Sequence, residues 1–214
     1  MDMAEDSDLD RWITLINSRG IAGLGARETE EEKLIVECAM MDQFADTARR
    51  IVNVDITNIL PEQPPLPDFC CDVAGKKLRI ELTEFVDPHA LQQAKYIAST
   101  PTHPLNDVAV TGGLWFSTYN EWFTKLLLES IQKKDRKYVG RDARIDILLI
   151  WNEALQVSIE DTCTWLSDFK LPELKTISAV YFQSWYHPSY LARPTWSMRA
   201  HPLIGEIEPV RRTT

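Results

Sequence analysis

The chain has 214 residues, 44% hydrophobic and 26% charged, which is typical of one soluble domain that folds without disulfides or a structural metal. Its longest apolar run, Ile147–Trp151, is too short for a membrane span, and its acidic start is unlike a secretory signal, so we expect a cytoplasmic protein. A net charge of −9 argues against a protein that coats nucleic acid.

Acidic and basic side chains are distributed unevenly along the chain. Residues 1–32 carry nine acidic side chains against three arginines, a balance of −6, so the other 182 residues carry only −3. Residues 131–145 instead hold six basic and two acidic side chains, a balance of +4. This basic segment fits a local contact with a phosphate backbone, although a solvated helix end is the more common cause of such a run.

Hydrophobic periodicity predicts two helices and a hairpin in the first 85 residues. Apolar residues at three- and four-residue spacing predict a short helix over Asp8–Ser18 and a long amphipathic helix over Thr29–Asn53. Four prolines between positions 61 and 67 predict an irregular connection without regular structure. Asp68–Val73 and Lys77–Phe85 then follow as two strand-like runs around a short turn, which predicts a hairpin.

After an insertion near 87–107, the chain is predicted to alternate strands and helices. Thr118 and Glu121 form a capping box at the start of one helix. Ile145–Trp151 is continuously apolar, as expected of a central strand buried on both faces. The predicted elements are a strand over 108–116, a helix over 118–137, a strand over 145–151, a helix over 159–169 and a strand over 176–182.

The order of these elements predicts an α/β fold with a mixed central sheet flanked by helices. We divide the chain into an acidic N-terminal helix and linker (1–28), an α/β core (29–182) and an aromatic, proline-rich C-terminal tail (183–214). The aromatic side chains of the tail could stack on unpaired bases, or pack over the sheet edge or a homodimer interface. They form one cluster with a histidine: Trp185, Tyr186, His187, Tyr190 and Trp196.

The predicted hairpin carries a pair of carboxylates. Side-chain alternation places Glu81 on the polar face of its strand, and Leu82 on the core face. Asp68 opens the preceding strand thirteen residues earlier, so a tight hairpin is expected to bring the two carboxylates within about 6 Å of each other. Together with the backbone carbonyl of Leu82, they would form an oxygen site suited to Mg²⁺ or Mn²⁺.

Pro67-Asp68, twelve intervening residues and Glu81-Leu82-Thr83 resemble the motif of the PD-(D/E)XK nuclease superfamily. Its restriction-endonuclease-like core has the order helix-strand-strand-strand-helix-strand, and the resemblance covers roughly residues 29–182. It implies a metal-dependent nuclease in which Asp68, Glu81 and Leu82 hold Mg²⁺ or Mn²⁺, which activates water. Thr83 departs from the pattern, because it stands where the superfamily has its catalytic lysine and its hydroxyl supplies no positive charge.

The resemblance also implies where the missing charge could come from. In some branches of the superfamily the lysine is supplied by the helix after the third strand, and here the apolar stripe of that helix runs into Lys134 and Lys137. We expect Lys134, with Lys137 as second choice, to lie within a few ångströms of Glu81 and to stabilise the transition state, with almost no effect on metal binding. Glu37, on the apolar stripe of the long helix, would complete the metal site, as a helix glutamate does in some members.

The remaining basic residues of the segment are the expected contacts for nucleic acid, with DNA as the first choice of substrate. They are Lys133, Arg136, Arg141 and Arg144.

Each candidate also has an ordinary structural interpretation. Asp68 after Pro67 is a common turn residue, and Glu81 can belong to a solvated ion pair. Glu37 can lie at the edge of its stripe with its carboxylate in water, and the lysines can favour the helix C-terminus through its dipole. The histidines lie in proline-flanked or loop-like segments without metal-ligand spacing: His89, His103, His187 and His201.

Three functions are therefore open on the sequence alone. The first is a metal-dependent nuclease that hydrolyses phosphodiester bonds. The second is a catalytically inactive protein on the same fold that binds nucleic acid or a protein partner, which Thr83 and the net negative charge favour. The third is an α/β protein whose acidic first 32 residues and aromatic tail bind a protein partner. Binding of Mg²⁺ or Mn²⁺ near Asp68 and Glu81 would separate the first from the other two.

Overall fold

A computed structural model describes residues 30–86, 119–141, 143–152, 157, 159–184 and 200–204. The helix expected over 8–18, the insertion near 87–107, the strand expected over 108–116 and the aromatic cluster of the tail lie outside these residues. Within the described part of the chain, helices pack on both faces of a sheet. No described helix combines the length and the apolar character that a membrane span requires.

The described residues form three helices and six strands, which we number in chain order. They are α1 (Glu30–Val52), β1 (Ile56–Pro61), β2 (Phe69–Val73), β3 (Lys76–Phe85), α2 (Tyr119–Tyr138), β4 (Ile145–Asn152), α3 (Ile159–Leu166), β5 (Ile177–Ser184) and β6 (Ala200–Ile204).

The strands lie in the sheet in the order in which they occur in the sequence. β1, β2 and β3 form an antiparallel meander, and β3, β4 and β5 run parallel to one another. β6 pairs antiparallel with β5 at the far edge. The sheet is therefore mixed, and the α/β class expected from the sequence is confirmed.

The hairpin between β2 and β3 has a two-residue turn. Val73 pairs with Lys76, so only Ala74 and Gly75 lie between the strands. Both have positive φ angles, 51° and 78°, which is the conformation of a type I′ turn and matches the twist of the flanking strands. The expected hairpin is confirmed, and its position fixes the register of β3.

β1 corrects the expectation that the prolines after position 60 exclude regular structure. Pro61 is the last residue of β1 and pairs with Phe69. β1 lies at the edge of the sheet, where a residue without an N–H group is tolerated. Its burial does not alternate, and its register with β2 shifts between Thr57 and Leu60, so the strand has no regular hydrophobic pattern.

The boundary expected between the core and the C-terminal tail is also corrected. β5 extends to Ser184, and residues 200–204 of the expected tail form β6 in the same sheet. His201, which we placed in a loop-like segment, pairs with Phe182.

Two separate hydrophobic cores cover the two faces of the sheet. The first packs α1, through Met41 and Phe44, against one face of the sheet, which includes Ile80 and Leu82 of β3. The second packs α2 and α3 against the other face. Since neighbouring side chains of a strand point to opposite faces, Glu81 lies on the face covered by α2.

Candidate functional site

Glu81 is completely buried, and its carboxylate receives three hydrogen bonds from α2. Its side chain is 0% exposed. The ammonium groups of Lys134 and Lys137 donate to Oε1 at 2.7 and 2.8 Å, and the hydroxyl of Tyr138 donates to Oε2. Burial of an unpaired carboxylate costs several kcal/mol, so these donors allow Glu81 to remain ionised. The alternative of a solvated ion pair is wrong for this residue.

The three donors lie on one face of α2 because they are separated by three and four residues. The same face continues towards the N-terminus of the helix as Ile131 and Leu127, both fully buried in the second core. The apolar stripe therefore ends in lysines directly over the centre of β3, as expected. Tyr138, whose hydroxyl also lies 3.4 Å from the carbonyl oxygen of Leu66, was not among the expected site residues. Its spacing of four residues from Lys134 is the signal that could have identified it.

Asp68 lies near Glu81, directly before the first residue of β2. The register of the hairpin pairs Phe69 with Ile80, so Asp68, the residue directly before β2, lies near Glu81, whose charge acts on it. Its Oδ2 accepts a hydrogen bond of 2.8 Å from the backbone N–H of Leu82. The carbonyl of Leu82 accepts a hydrogen bond of 2.7 Å from Lys134. The structure thus brings together Asp68, Glu81, Leu82 and Lys134, all of which were expected from the sequence.

The pKa values of the two carboxylates are shifted in opposite directions. Burial would raise the pKa of Glu81, but the charge of Lys134 and the hydrogen bonds from Lys134, Lys137 and Tyr138 hold it below its usual value. Burial and the neighbouring charge of Glu81 raise the pKa of Asp68, because the lysines act on it more weakly. Burial and the hydrogen bond to Glu81 raise the pKa of Tyr138, which keeps it protonated as a donor. Asp68 is therefore the carboxylate whose charge is compensated less.

Asp135 fixes the C-terminal end of α2 to the sheet. Its carboxylate accepts hydrogen bonds from the backbone N–H groups of Lys175 and Thr176 just before β5, at distances from 2.7 to 3.1 Å. The hydroxyl of Thr176 also donates to this carboxylate. Asp135 thus holds the turn that carries Lys134 and Lys137 in place.

Two basic side chains lie against the ring of Tyr138, whose hydroxyl donates to Glu81. Lys137 is 44% exposed, and its ammonium lies 4.9 Å from the centre of the Tyr138 ring. The guanidinium of Arg141 lies 5.5 Å from the centre of the same ring. The other basic residues expected to contact nucleic acid, Lys133, Arg136 and Arg144, are exposed. Thr83 lies on the same face of β3 as Glu81 and is half-buried.

Glu37 does not join this site, and the expectation that it completes a metal site is wrong. It lies on α1, which packs on the opposite face of the sheet from Glu81. Its carboxylate is largely buried and lies 3.8 Å from the ammonium of Lys33. Across the described residues, no group of three or more His, Cys, Asp or Glu side chains could hold a metal ion. The helix stripe left open whether the Glu37 carboxylate is buried or in water, and did not indicate which face of the sheet α1 would cover.

The donor atoms that remain are nevertheless those that a hard divalent cation prefers. Two carboxylates and a backbone carbonyl are oxygen ligands suited to Mg²⁺ or Mn²⁺, which keep several water ligands in addition. Burial and the charge of Glu81 raise the pKa of Asp68, and a cation bound beside this carboxylate would favour its ionised form. The residues present therefore fit a divalent metal held by Asp68, Glu81 and Leu82.

Comparison of the chain with known protein families, with curated proteins and with solved structures found no match.

Proposed function

We propose that this chain hydrolyses phosphodiester bonds of nucleic acid with the help of a divalent metal, and that its sheet is a restriction-endonuclease-like core. The contact between Lys134 and Glu81 carries the proposal. It supplies a cation from α2 at the site where Thr83 provides none. The cytoplasmic location and the homodimer expected from the sequence stay predictions.

The order of the described elements supports the fold part of the proposal. α1, β1, β2, β3, α2 and β4 follow in the order helix-strand-strand-strand-helix-strand. β1 takes the first strand position, which the sequence pattern did not identify. Pro67-Asp68 immediately precedes β2, and Glu81-Leu82-Thr83 lies within β3. Asp68 and Glu81 therefore lie close together, at the start of β2 and within the neighbouring strand β3.

The contacts of the site residues support a role for each of them in this proposal. Asp68, Glu81 and the carbonyl of Leu82 would hold Mg²⁺ or Mn²⁺, which when bound would supply an activated water for attack on phosphorus. Lys134 and Lys137 place positive charge where negative charge develops on the phosphate, which lowers the barrier to the reaction. Tyr138 orients the Glu81 carboxylate through its hydrogen bond to Oε2.

The exposed basic residues provide positive charge near the site that would bind the phosphates of the substrate. Lys137 and Arg141 lie against the Tyr138 ring next to Glu81, and Lys133, Arg136 and Arg144 extend the positive surface along the same segment. Cationic side chains bind phosphates through charge without reading sequence. DNA is the substrate we propose to test first.

Cleavage assays with matched variants test the proposal. The full chain would be incubated with plasmid DNA, single-stranded DNA and RNA in the presence of Mg²⁺, Mn²⁺ or excess chelator. We expect cleavage that requires the metal and disappears in Glu81→Gln, which keeps the shape of the side chain but removes its charge. Glu129→Gln makes the same change at an exposed position of α2 and should cleave like the wild type. Full activity of Glu81→Gln, or activity in chelator, would contradict the mechanism.

A catalytically inactive nucleic-acid-binding protein is the second candidate, favoured by the hydroxyl of Thr83 at the position of the superfamily lysine. Binding of DNA that depends on Arg141 and Arg144, without cleavage under any metal condition, would support it.

A further inference from the structure

The ammonium group of Lys134 is hydrogen-bonded to oxygen atoms that we assign as ligands of the metal. It donates to Glu81 Oε1 and to the carbonyl oxygen of Leu82, both at 2.7 Å. Only 21% of the Lys134 side chain is exposed, so this contact is enclosed between α2 and β3. Two of the three protein ligands in the proposed function are therefore already bound to a cation of the chain itself.

An ammonium group and a metal ion compete for these atoms. Both are cations that need the lone pairs of the same oxygens, and like charges in a partly buried site repel each other strongly. A metal bound by Glu81 and Leu82 would therefore replace the hydrogen bonds of Lys134. The contacts of this lysine add a free-energy cost to metal binding.

We propose that Lys134 is an intramolecular competitor of the divalent metal, which lowers the metal affinity of the chain and leaves Glu81 and Leu82 when the metal binds. This inference rests on the proposed function for the presence of a metal site. It differs from the sequence expectation, in which Lys134 acts on the transition state without affecting the metal. A lysine displaced from Glu81 is free to contact a phosphate, so the metal and the nucleic acid should each strengthen binding of the other.

Lys137 provides an internal comparison. It contacts Glu81 Oε1 but is 44% exposed, and the structure gives it no hydrogen bond to Leu82. Its ammonium can move into solvent at less cost than that of Lys134. Lys137 also leaves Glu81 with one cationic partner when Lys134 is removed, which favours retention of the fold in Lys134 variants.

Titration of the full chain with Mn²⁺ in the absence of nucleic acid tests the inference. Free Mn²⁺ is measured by electron paramagnetic resonance, and heat of binding by calorimetry. We expect Lys134→Met to bind Mn²⁺ about tenfold more tightly than the wild type, and Lys137→Met to show a smaller gain. Lys125→Met removes the same charge from an exposed position of α2 and should change the affinity by less than about twofold. Glu81→Gln should abolish Mn²⁺ binding, both in the wild type and in each of the lysine variants.

Thermal unfolding of each variant checks that the fold is retained, and Lys134→Gln serves as a second variant with a polar side chain of no charge. An unchanged or weaker affinity in folded Lys134→Met and Lys134→Gln would overturn the inference, as would an equal gain in Lys125→Met. Absence of Mn²⁺ binding in both the wild type and the Lys134 variants would overturn it as well. Metal-dependent cleavage by the wild type with no gain in Lys134→Met would reject the competition and keep the proposed function. Tighter Mn²⁺ binding by Lys134→Met, without cleavage of any nucleic acid by the wild type, would support the competition and reject the proposed function.

Discussion

The ammonium group of Lys134 lies 2.7 Å from Oε1 of Glu81, across 53 residues of sequence. This contact joins the last turns of α2 to the centre of β3, on the sheet face opposite α1. It pairs a fully buried carboxylate with a helix whose last turn also carries exposed basic side chains. Together with the ion pair of Lys137, this contact connects the interior of the sheet with the surface on which we propose that nucleic acid binds.

Lys134→Met is expected to lower the turnover number by about 10²-fold at saturating Mn²⁺, because its cation stabilises charge that develops in the transition state. The measurement is the rate of plasmid cleavage, taken over a range of metal concentrations so that a change in metal affinity is separated from a change in turnover. Lys125→Met is the matched control and should cleave at the wild-type rate. Wild-type turnover in Lys134→Met would remove this lysine from the chemistry.

Tyr138→Phe is expected to lower the free energy of unfolding by about 1–3 kcal/mol, because it removes the only donor that the described residues give to Oε2 of a buried carboxylate. Denaturant unfolding at neutral pH measures the loss. Ser167→Ala removes a hydroxyl that donates to a backbone carbonyl at an exposed position, and should cost less than about 0.5 kcal/mol. Equal losses in the two variants would show that the bond to Glu81 adds nothing.

The parts of the site that follow from local periodicity could be predicted from the sequence. Two-residue alternation placed Glu81 and Leu82 on opposite faces of β3, and the helical repeat placed Lys134 and Lys137 at the end of an apolar stripe. Both predictions are confirmed by the hydrogen bonds of Glu81. The burial of Glu81 was not predicted, because alternation gives the face of a residue and not what covers that face.

The parts that depend on tertiary packing could not be predicted in the same way. Glu37 has the same helical signal as Lys134, but which face of the sheet α1 covers depends on the connection between α1 and β1. β1 lacks an alternating pattern because it is an edge strand with a register shift, so its residues have few packing constraints. His201 lies in a strand because it pairs with β5, and no local pattern of residues 200–204 indicates that pairing.

Ala74→Asn is expected to stabilise the hairpin by about 0.5–1 kcal/mol, because Asn tolerates the left-handed conformation that Ala74 adopts at φ 51°. Gly75→Ala should instead destabilise by about 1–2 kcal/mol. Nothing lies within 4 Å of the added methyl group, so that loss would come from the backbone conformation alone. Ala39→Asn, at an exposed position within α1, should destabilise slightly through helix propensity. Loss of stability in Ala74→Asn would contradict the turn type.

The stability conferred by Glu81 is expected to disappear at acidic pH. Its contacts hold the pKa below the ordinary value of 4.5 for a glutamate, so the folded state binds a proton to Glu81 less readily than the unfolded state. The resulting stabilisation is fully present above the unfolded pKa and is lost as the pH falls through the lower folded pKa. Glu81→Gln should therefore be less stable than its parent at neutral pH, by about 2 kcal/mol, and the difference should shrink in acid.

Asp68 complicates this comparison because its pKa is raised, so its ionised form destabilises the fold and protonation removes that effect. Glu81→Gln also removes a charge that contributes to this shift. The sharper experiment therefore compares Asp68→Asn with Asp68→Asn/Glu81→Gln by urea unfolding between about pH 7 and pH 3. The difference in unfolding free energy should be constant near neutrality and fall below about pH 4.5. A difference that stays constant down to the lowest pH would mean that the ionised form of Glu81 is not the form that Lys134, Lys137 and Tyr138 stabilise.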